Sequence, residues 1–543
     1  MISRWVVGGL LHIALLCAIV LSTQYHAINV RAASTPPRSY STPSHAAEPF
    51  AAVNKLRGKP TNLFVTSKSA PGFPTNRGIP CGSSIQQACP SLSDALETAS
   101  NSISNTTSDD LVIILAPTKQ DGCTISRGEM SLDSYNVNFS TVTVKPDPES
   151  NCTYGIKLSN ESTCEASPVA KFFSLTGPSL NNVSIQSILF PAENGVCNES
   201  PASPHVLLSF QGYAGPPHIT FQNCTFQVGA GCSAIRLEVS DQTDVRILYK
   251  ACKFIGTEPP GVPSASADSV ITLDSSDNET ASDAVTDAQR GAVSLEMVSC
   301  EIKHISLSAS NEDSAFITYR TNSTGGSIKL NVIRCNFSHN VLSHIFLYQA
   351  PRFERISMEI RLSVFEWNTV RRLFHGEGEE VYILISKTSI LENTTLGPVG
   401  LNSFVSVQSS NSSIRIQNSS FNVAGKACTN LATFIYVTGG PFENATTTIR
   451  IEDSRLENNH DQSMTNSRPF IWVFKARIIL SGRNVIRGDY NSSEGPILSV
   501  GGTIEVNGIL DTNFDSSFIQ RLNGTGALID FRNVTEQLPF CEK

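Results

Sequence analysis

The residues best placed to do chemistry are those that recur at one position of a repeat, because repetition brings them side by side. Outward positions of successive copies read Asn331, Glu359, Leu384, Arg415 and Arg450, with Arg361, Gln417 and Glu452 nearby. Guanidinium and carboxylate groups on neighbouring strands can hydrogen-bond sugar hydroxyls, which makes Glu359, Arg361, Arg415, Arg450 and Glu452 a candidate carbohydrate strip. The same alternation suits a surface charge ladder that blocks association between sheets. A second recurrent set is Cys224, Cys252, Cys300 and Cys335, replaced in later copies by Ser363, Thr388, Ser419 and Ser454. Interchange with hydroxyl residues points to a stack of small side chains at a tight bend rather than to redox work. A spacing of one repeat is also compatible with a disulfide.

Other chemistry is harder to find. A glycosidase needs two carboxylates a few ångströms apart, one of them acting as general acid. Asp109-Asp110 is the only adjacent Asp pair, and it reads as a solvated loop. Gly376-Glu377-Gly378-Glu379-Glu380 reads as an exposed acidic turn, with weak calcium binding as the rival reading. None of the ten His residues lies in a nucleophile or metal motif. Cys81 and Cys89 are too far apart for a zinc knuckle. A bridge between Cys81 and Cys89, or between Cys152 and Cys164, is the plainer expectation. No catalytic residue, metal site or cofactor is assigned.

The elements that would position these residues come from the repeat. From an apolar anchor, the residues two, five and seven positions back are small, apolar and apolar. Phe226 has Cys224, Phe221 and Ile219; Phe337 has Cys335, Val332 and Leu330; Phe421 has Ser419, Ile416 and Ile414. Further anchors are Phe190, Phe254, Ile302, Phe365, Ile390, Leu456 and Val485, with a weaker last copy at Ile504 and Ile509. Two alternating apolar residues make one face of a strand, and the three-residue step that follows resets the phase at a bend. A second strand lies between copies, as in Phe316–Tyr319, Phe404–Val407 and Phe434–Val437. Asn follows several anchors by three residues, at Asn340, Asn368, Asn393 and Asn459. A turn of short strands cannot bury its own inward residues, but stacked turns bury a continuous apolar column. A β-sandwich also uses short strands and turns, yet it does not require one inward pattern to recur along the chain.

Composition bears on the compartment. The chain has 543 residues, 40 Lys+Arg against 48 Asp+Glu, and a net charge of −8. Only 16% of residues are charged, which leaves the polar surface to uncharged groups and excludes an acidic disordered chain. It carries no basic stripe of the kind a nucleic-acid binder shows. Residues 1–33 read as a signal peptide, with Arg4 ahead of the apolar run Val6–Leu21; an uncleaved signal-anchor is the alternative. No later run is apolar for long enough to span a bilayer. Sequons occur at Asn105, Asn138, Asn151, Asn160, Asn182, Asn198, Asn223, Asn278, Asn322, Asn336, Asn393, Asn411, Asn418, Asn444, Asn491, Asn523 and Asn533. That is about twice the number expected by chance and points to an N-glycosylated, extracellular product. Fourteen Cys agree with an oxidising compartment.

The repeat, together with the segment before it, resembles the pectin-lyase-like right-handed parallel β-helix family. Ser91-Leu92-x-x-Ala95-Leu96-x-x-Ala99, followed by Leu111-Val112-Ile113-Ile114-Leu115-Ala116-Pro117, is similar to that family's capping helix and first strand. Phe-x-x-Asn at Phe337 and Phe365 is similar to the repeats of polymorphic outer-membrane and autotransporter-type β-helices. The resemblance implies an all-β fold, a single-stranded right-handed parallel β-helix of about 11–12 coils with a short N-terminal capping helix. The expected organisation is a leader over 1–33, a Ser/Thr/Pro-rich linker over 34–80, the β-helix over 81–535 and a short tail over 536–543. That family spans lyases, hydrolases, adhesins and surface proteins, so the fold does not choose among them. Its hydrolase motifs are absent as a set. The expectation is therefore a secreted or cell-surface protein with a non-catalytic binding, adhesion or structural role. Its partner would be polysaccharide, glycan or extracellular matrix, with no nucleic acid. The alternative is a polysaccharide lyase or glycoside hydrolase with diverged catalytic residues. A third reading, prompted by Cys541 lacking a local partner, is the ectodomain of a longer chain.

Overall fold

The computed structural model describes residues 61–65, 81–89, 94–95, 97–99, 110–116, 124–126, 141–150, 154–157, 173–175, 182–190, 206–210, 217–228, 235–239, 244–257, 269–275, 291–307, 314–320, 326–349, 355–395, 403–425, 433–438, 446–460, 471–474, 476–488, 497–500 and 503–512. All belong to the unit Arg57–Lys543. Every strand pairing among them is parallel, and each strand except those at the ends of a series pairs with its equivalents one turn before and one turn after. The fold is an all-β parallel β-helix. A sandwich would pair hairpin neighbours antiparallel, and no described pair does so.

Most described turns contribute strands to three faces of one continuous sheet, termed here the first, second and third sheets. The first sheet holds strands such as His218–Gln222, Val245–Lys250 and Ala292–Val298, which stack in register so that Ile219 lies over Ile247 and Ile247 over Leu295. The second holds the short anchor strands, with Phe226 over Phe254 and Phe254 over Ile302. The third holds Ser269–Ser275, Ala315–Arg320, Val341–Gln349 and their equivalents. Among the described residues, thirteen consecutive pairings run along the first sheet from Thr61–Val65 to Thr503–Thr512, which makes fourteen rungs. The repeat pattern reaches fewer because Thr61–Val65, Asp110–Leu115 and Thr141–Pro146 precede its first anchor. Thr61–Val65 comes from the stretch read as linker, yet it pairs residue for residue with Leu111–Leu115.

The core is the inward column that the periodicity implied. Phe190, Phe226 and Phe254 stack with ring centroids 4.7 and 4.8 Å apart, and Phe337 stacks on Phe365 at 4.6 Å. These separations match the spacing of neighbouring strands, ~4.8 Å, so the backbone ladder sets the ring stack. Each such ring, fully buried, contributes roughly 1.5–3 kcal/mol of hydrophobic stabilisation. At the N-terminal end, Asp94, Ala95 and Glu97–Ala99 are helical, and Ala95 and Ala99 are buried in the same core. Cys81 and Cys89 form a disulfide there. Cys152 and Cys164 lie outside the described residues.

Two anchors differ from the sequence reading: Ile509 of the last copy is exposed and lies opposite Arg483, outside the core column, and Val485 is displaced from it. Leu456 stands over Ile486, not Val485, and Ile486 is the buried residue of the pair. An extra residue at Gly482-Arg483 shifts the frame, and Gly482 takes the left-handed conformation, φ 72°, that this bend needs. The Gly376–Glu380 segment also departs from expectation. It is no turn but the middle of the continuous strand Thr369–Ser386, paired with Val407–Ser409 and Asn411 of the next rung.

Candidate functional site

The first bend explains the cysteines. Between the first and second sheets, eight successive turns each have a left-handed residue, Asn223, Ala251, Ser299, Arg334, Leu362, Lys387, Asn418 and Asp453, with φ between 46° and 56°. Such a conformation strains a non-glycine residue by about 1–2 kcal/mol. It persists because the ladder runs unbroken through it: Asn223 N–H donates to Lys250 O at 2.9 Å and Ala251 N–H to Val298 O at 2.8 Å. The next residue turns inward where only a small side chain fits. Cys252 donates its thiol to Phe221 O at 3.2 Å, Cys300 to Tyr249 O at 3.3 Å and Cys335 to Met297 O at 3.4 Å. Ser363 and Ser419 reach Val332 O and Ile385 O at 3.5 Å, but their hydroxyls lie closer to the carbonyls two residues back, Arg361 O at 3.0 Å and Gln417 O at 2.7 Å. In return, Cys300 N–H donates to Cys335 Sγ and Cys335 N–H to Ser363 Oγ. Cys224, Cys252, Cys300 and Cys335 are all buried free thiols. Hydrogen bonds with the flanking thiols, and burial, push the Cys252 thiol up.

At the second bend, Asn340, Asn368 and Asn393 form a buried amide ladder. Asn368 Nδ2 donates to Phe337 O and to Asn393 Oδ1, both at 2.9 Å, and Asn393 Nδ2 donates to Phe365 O at 2.8 Å. These amides satisfy backbone groups that the corner would leave without partners. Asn393 is fully buried, so its sequon leaves no room for a glycan in the folded chain. Among the other described sequons, Asn182, Asn223, Asn411 and Asn418 are exposed and Asn336 is half-buried. The remaining sequons lie outside the described residues.

The proposed strip has the register that the repeat implied. Glu359, Leu384, Arg415 and Arg450 occupy one column on the outer face of the first sheet, and Arg361, Ser386, Gln417 and Glu452 occupy the column beside it. Arg361 pairs with Glu359 at 2.6 Å along one strand, and Arg415 pairs with Glu452 at 3.2 Å across two rungs. Further along this face, Arg355 pairs with Glu380 at 2.6 Å and Arg477 with Glu505 at 2.8 Å. Tyr382 is exposed among these charges, next to Ser357 and Ser413. Exposed pairs of this kind contribute about 0–1 kcal/mol each to stability. The face is partly exposed and carries side chains that donate and accept hydrogen bonds.

The outer side of the third sheet holds a network that sequence spacing does not reveal, because its members come from different strands. His375 Nδ1 lies 3.1 Å from Ser406 Oγ, and His375 Nε2 lies 3.1 Å from Glu377 Oε1. The order of hydroxyl, imidazole and carboxylate resembles a nucleophile with its base and orienting acid. Ser406 is only 3% exposed, however, so its hydroxyl is not presented to a substrate. The nearby His344 ring, 5.8 Å from that of His375, is buried. Neither of its nitrogens has a hydrogen-bond partner among the described residues. Burial, and then the charges of His375, Arg372 and Arg371, hold its pKa well below 6.5. Among the described residues, no group of three or more His, Cys, Asp or Glu side chains could hold a metal ion.

The site and fold together define a parallel β-helix with a charged, hydroxyl-rich outer face. No protein-family model matches the chain, and neither a curated protein nor a solved structure shows significant similarity to it.

Proposed function

We propose that the protein is a secreted or cell-surface N-glycosylated β-helix that binds carbohydrate or extracellular matrix through its outer faces, without catalysis. The observation that carries this reading is the partly exposed first-sheet face, where Arg415 and Glu452 pair across rungs beside Arg450. Planar guanidinium and carboxylate groups at strand spacing, among Ser and Thr hydroxyls, are the donors and acceptors that sugar hydroxyls use. The leader and the density of sequons support the extracellular setting. The repeat and the capping segment support a closer affiliation with pectin-lyase-like β-helices.

The test is a glycan and matrix-protein array probed with the secreted full chain, beside variants Arg415→Ala and Arg450→Ala. Binding that weakens in both variants, without loss of folding, is the expected outcome. An array with no binder sinks the reading. Release of reducing or unsaturated sugars that Glu359→Ala or Arg415→Ala abolishes would instead establish the lyase or hydrolase alternative.

A further inference from the structure

Three consecutive turns place aromatic residues at the second bend, on its outer side. His304, His339 and Trp367 are all left-handed, with φ of 57°, 56° and 50°. Their rings form a column, 5.3 Å from His304 to His339 and 5.1 Å from His339 to Trp367. All three are exposed, Trp367 by 48%. The work of the corner is done by the inward residue that follows each ring, as with Asn340 and Asn368. The left-handed backbone belongs to the bend and is held by the ladder, His304 N–H donating to Ser338 O and His339 N–H to Glu366 O, so it turns each of these rings outward. An exposed indole also leaves apolar surface in water.

We infer that this column is a stacking site for the pyranose rings of a neutral glycan. Pyranoses carry an apolar C–H face that packs on aromatic rings, and a rim of hydroxyls that hydrogen-bond imidazole nitrogens. The neighbouring charges favour a neutral ligand over an ionic one. Lys303 is held by Glu301 at 2.7 Å, and Glu366 adds a carboxylate beside Trp367. The inference rests on the carbohydrate-binding reading above but assigns the contact to a different face.

The chain has three Trp: Trp5 in the leader segment, buried Trp472 and exposed Trp367. Emission changes on ligand binding therefore report Trp367, with Trp367→Phe as the control. The titrants are neutral hexasaccharides of glucose, mannose, galactose and N-acetylglucosamine, with a heparin fragment as the acidic arm. Native protein and protein stripped of N-glycans are compared, because the sequon at Asn336 lies close to the column. The expected result is that at least one neutral hexasaccharide shifts the emission. Its affinity should fall roughly tenfold in Trp367→Ala and less in His339→Ala, with unchanged melting temperatures. The inference is overturned if no neutral sugar binds, if only heparin binds, or if both variants bind as the parent does. A positive array whose signal is lost in Arg415→Ala but kept in Trp367→Ala removes this inference and leaves the proposed function standing.

Discussion

The side-chain amide of Asn368 bonds to that of Asn393 one turn on, at 2.9 Å, with both groups wholly out of water. Each amide also caps a carbonyl of the preceding turn, so removing one leaves buried polar groups of its neighbours without partners. Such a group costs about 1–3 kcal/mol. Asn368→Ala is expected to destabilise the solenoid by roughly that amount or more, read as a lower urea midpoint with an unchanged m-value. Asn368→Leu should be no better, because it fills the space and leaves the same backbone groups unpaired.

The same burial makes a prediction about modification. Glycopeptide mass spectrometry of the secreted protein should find Asn393 unmodified and sugar on exposed Asn223 and Asn418. A glycan at Asn393 in folded protein would contradict the amide ladder.

His344 gives the protein a pH dependence with a definite sign. Its folded-state pKa is depressed by burial and by nearby cationic groups. The unfolded chain therefore binds a proton more readily than the folded one, and stability rises with pH in that window. This contribution is complete above the usual value of 6.5 and is lost as pH falls below it. The urea midpoint should drop between pH 7.5 and 5.5, and His344→Leu should flatten that drop. An equal pH response in parent and variant would show that His344 does not carry it.

The thiol column should behave as a set of serine equivalents. Cys300→Ser keeps a side-chain donor within reach of Tyr249 O and Val298 O, and the backbone N–H at that position still donates to Cys335 Sγ, so the expected loss is about 1 kcal/mol or less. Cys300→Leu overfills the bend and should cost about 1–3 kcal/mol. Thermal or urea unfolding of the two variants makes the comparison. Alkylation after denaturation without reducing agent should label Cys224, Cys252, Cys300 and Cys335.

The frame shift near the C-terminal end is also testable. Ile486→Ala opens a cavity in the column and should cost about 2–5 kcal/mol, whereas half-exposed Val485→Ala should cost far less. Equal losses at the two positions would restore the uninterrupted repeat frame.

Most of the architecture was legible in the chain because the repeat is physical. An inward residue must meet its equivalent one turn away, so Phe226, Phe254, Ile302 and Phe337 recur at one offset from their bends. The alternation around Arg415 and Arg450 placed the outer columns for the same reason, since side chains alternate across a strand with period two. Where the repeat was silent or interrupted, sequence went no further. Thr61–Val65 has no copy of the motif and becomes a rung only by pairing with Leu111–Leu115. Gly482 absorbs an extra residue and moves the anchor to Ile486, which pattern counting cannot see. Asn393 reads equally well as a sequon and as a corner residue, and only its burial decides between them. The contacts of His375 with Ser406, and of Trp367 with His339, join residues about thirty positions apart. Local sequence determines which way a residue points; the length of each loop, summed over a turn, determines what it comes to lie beside.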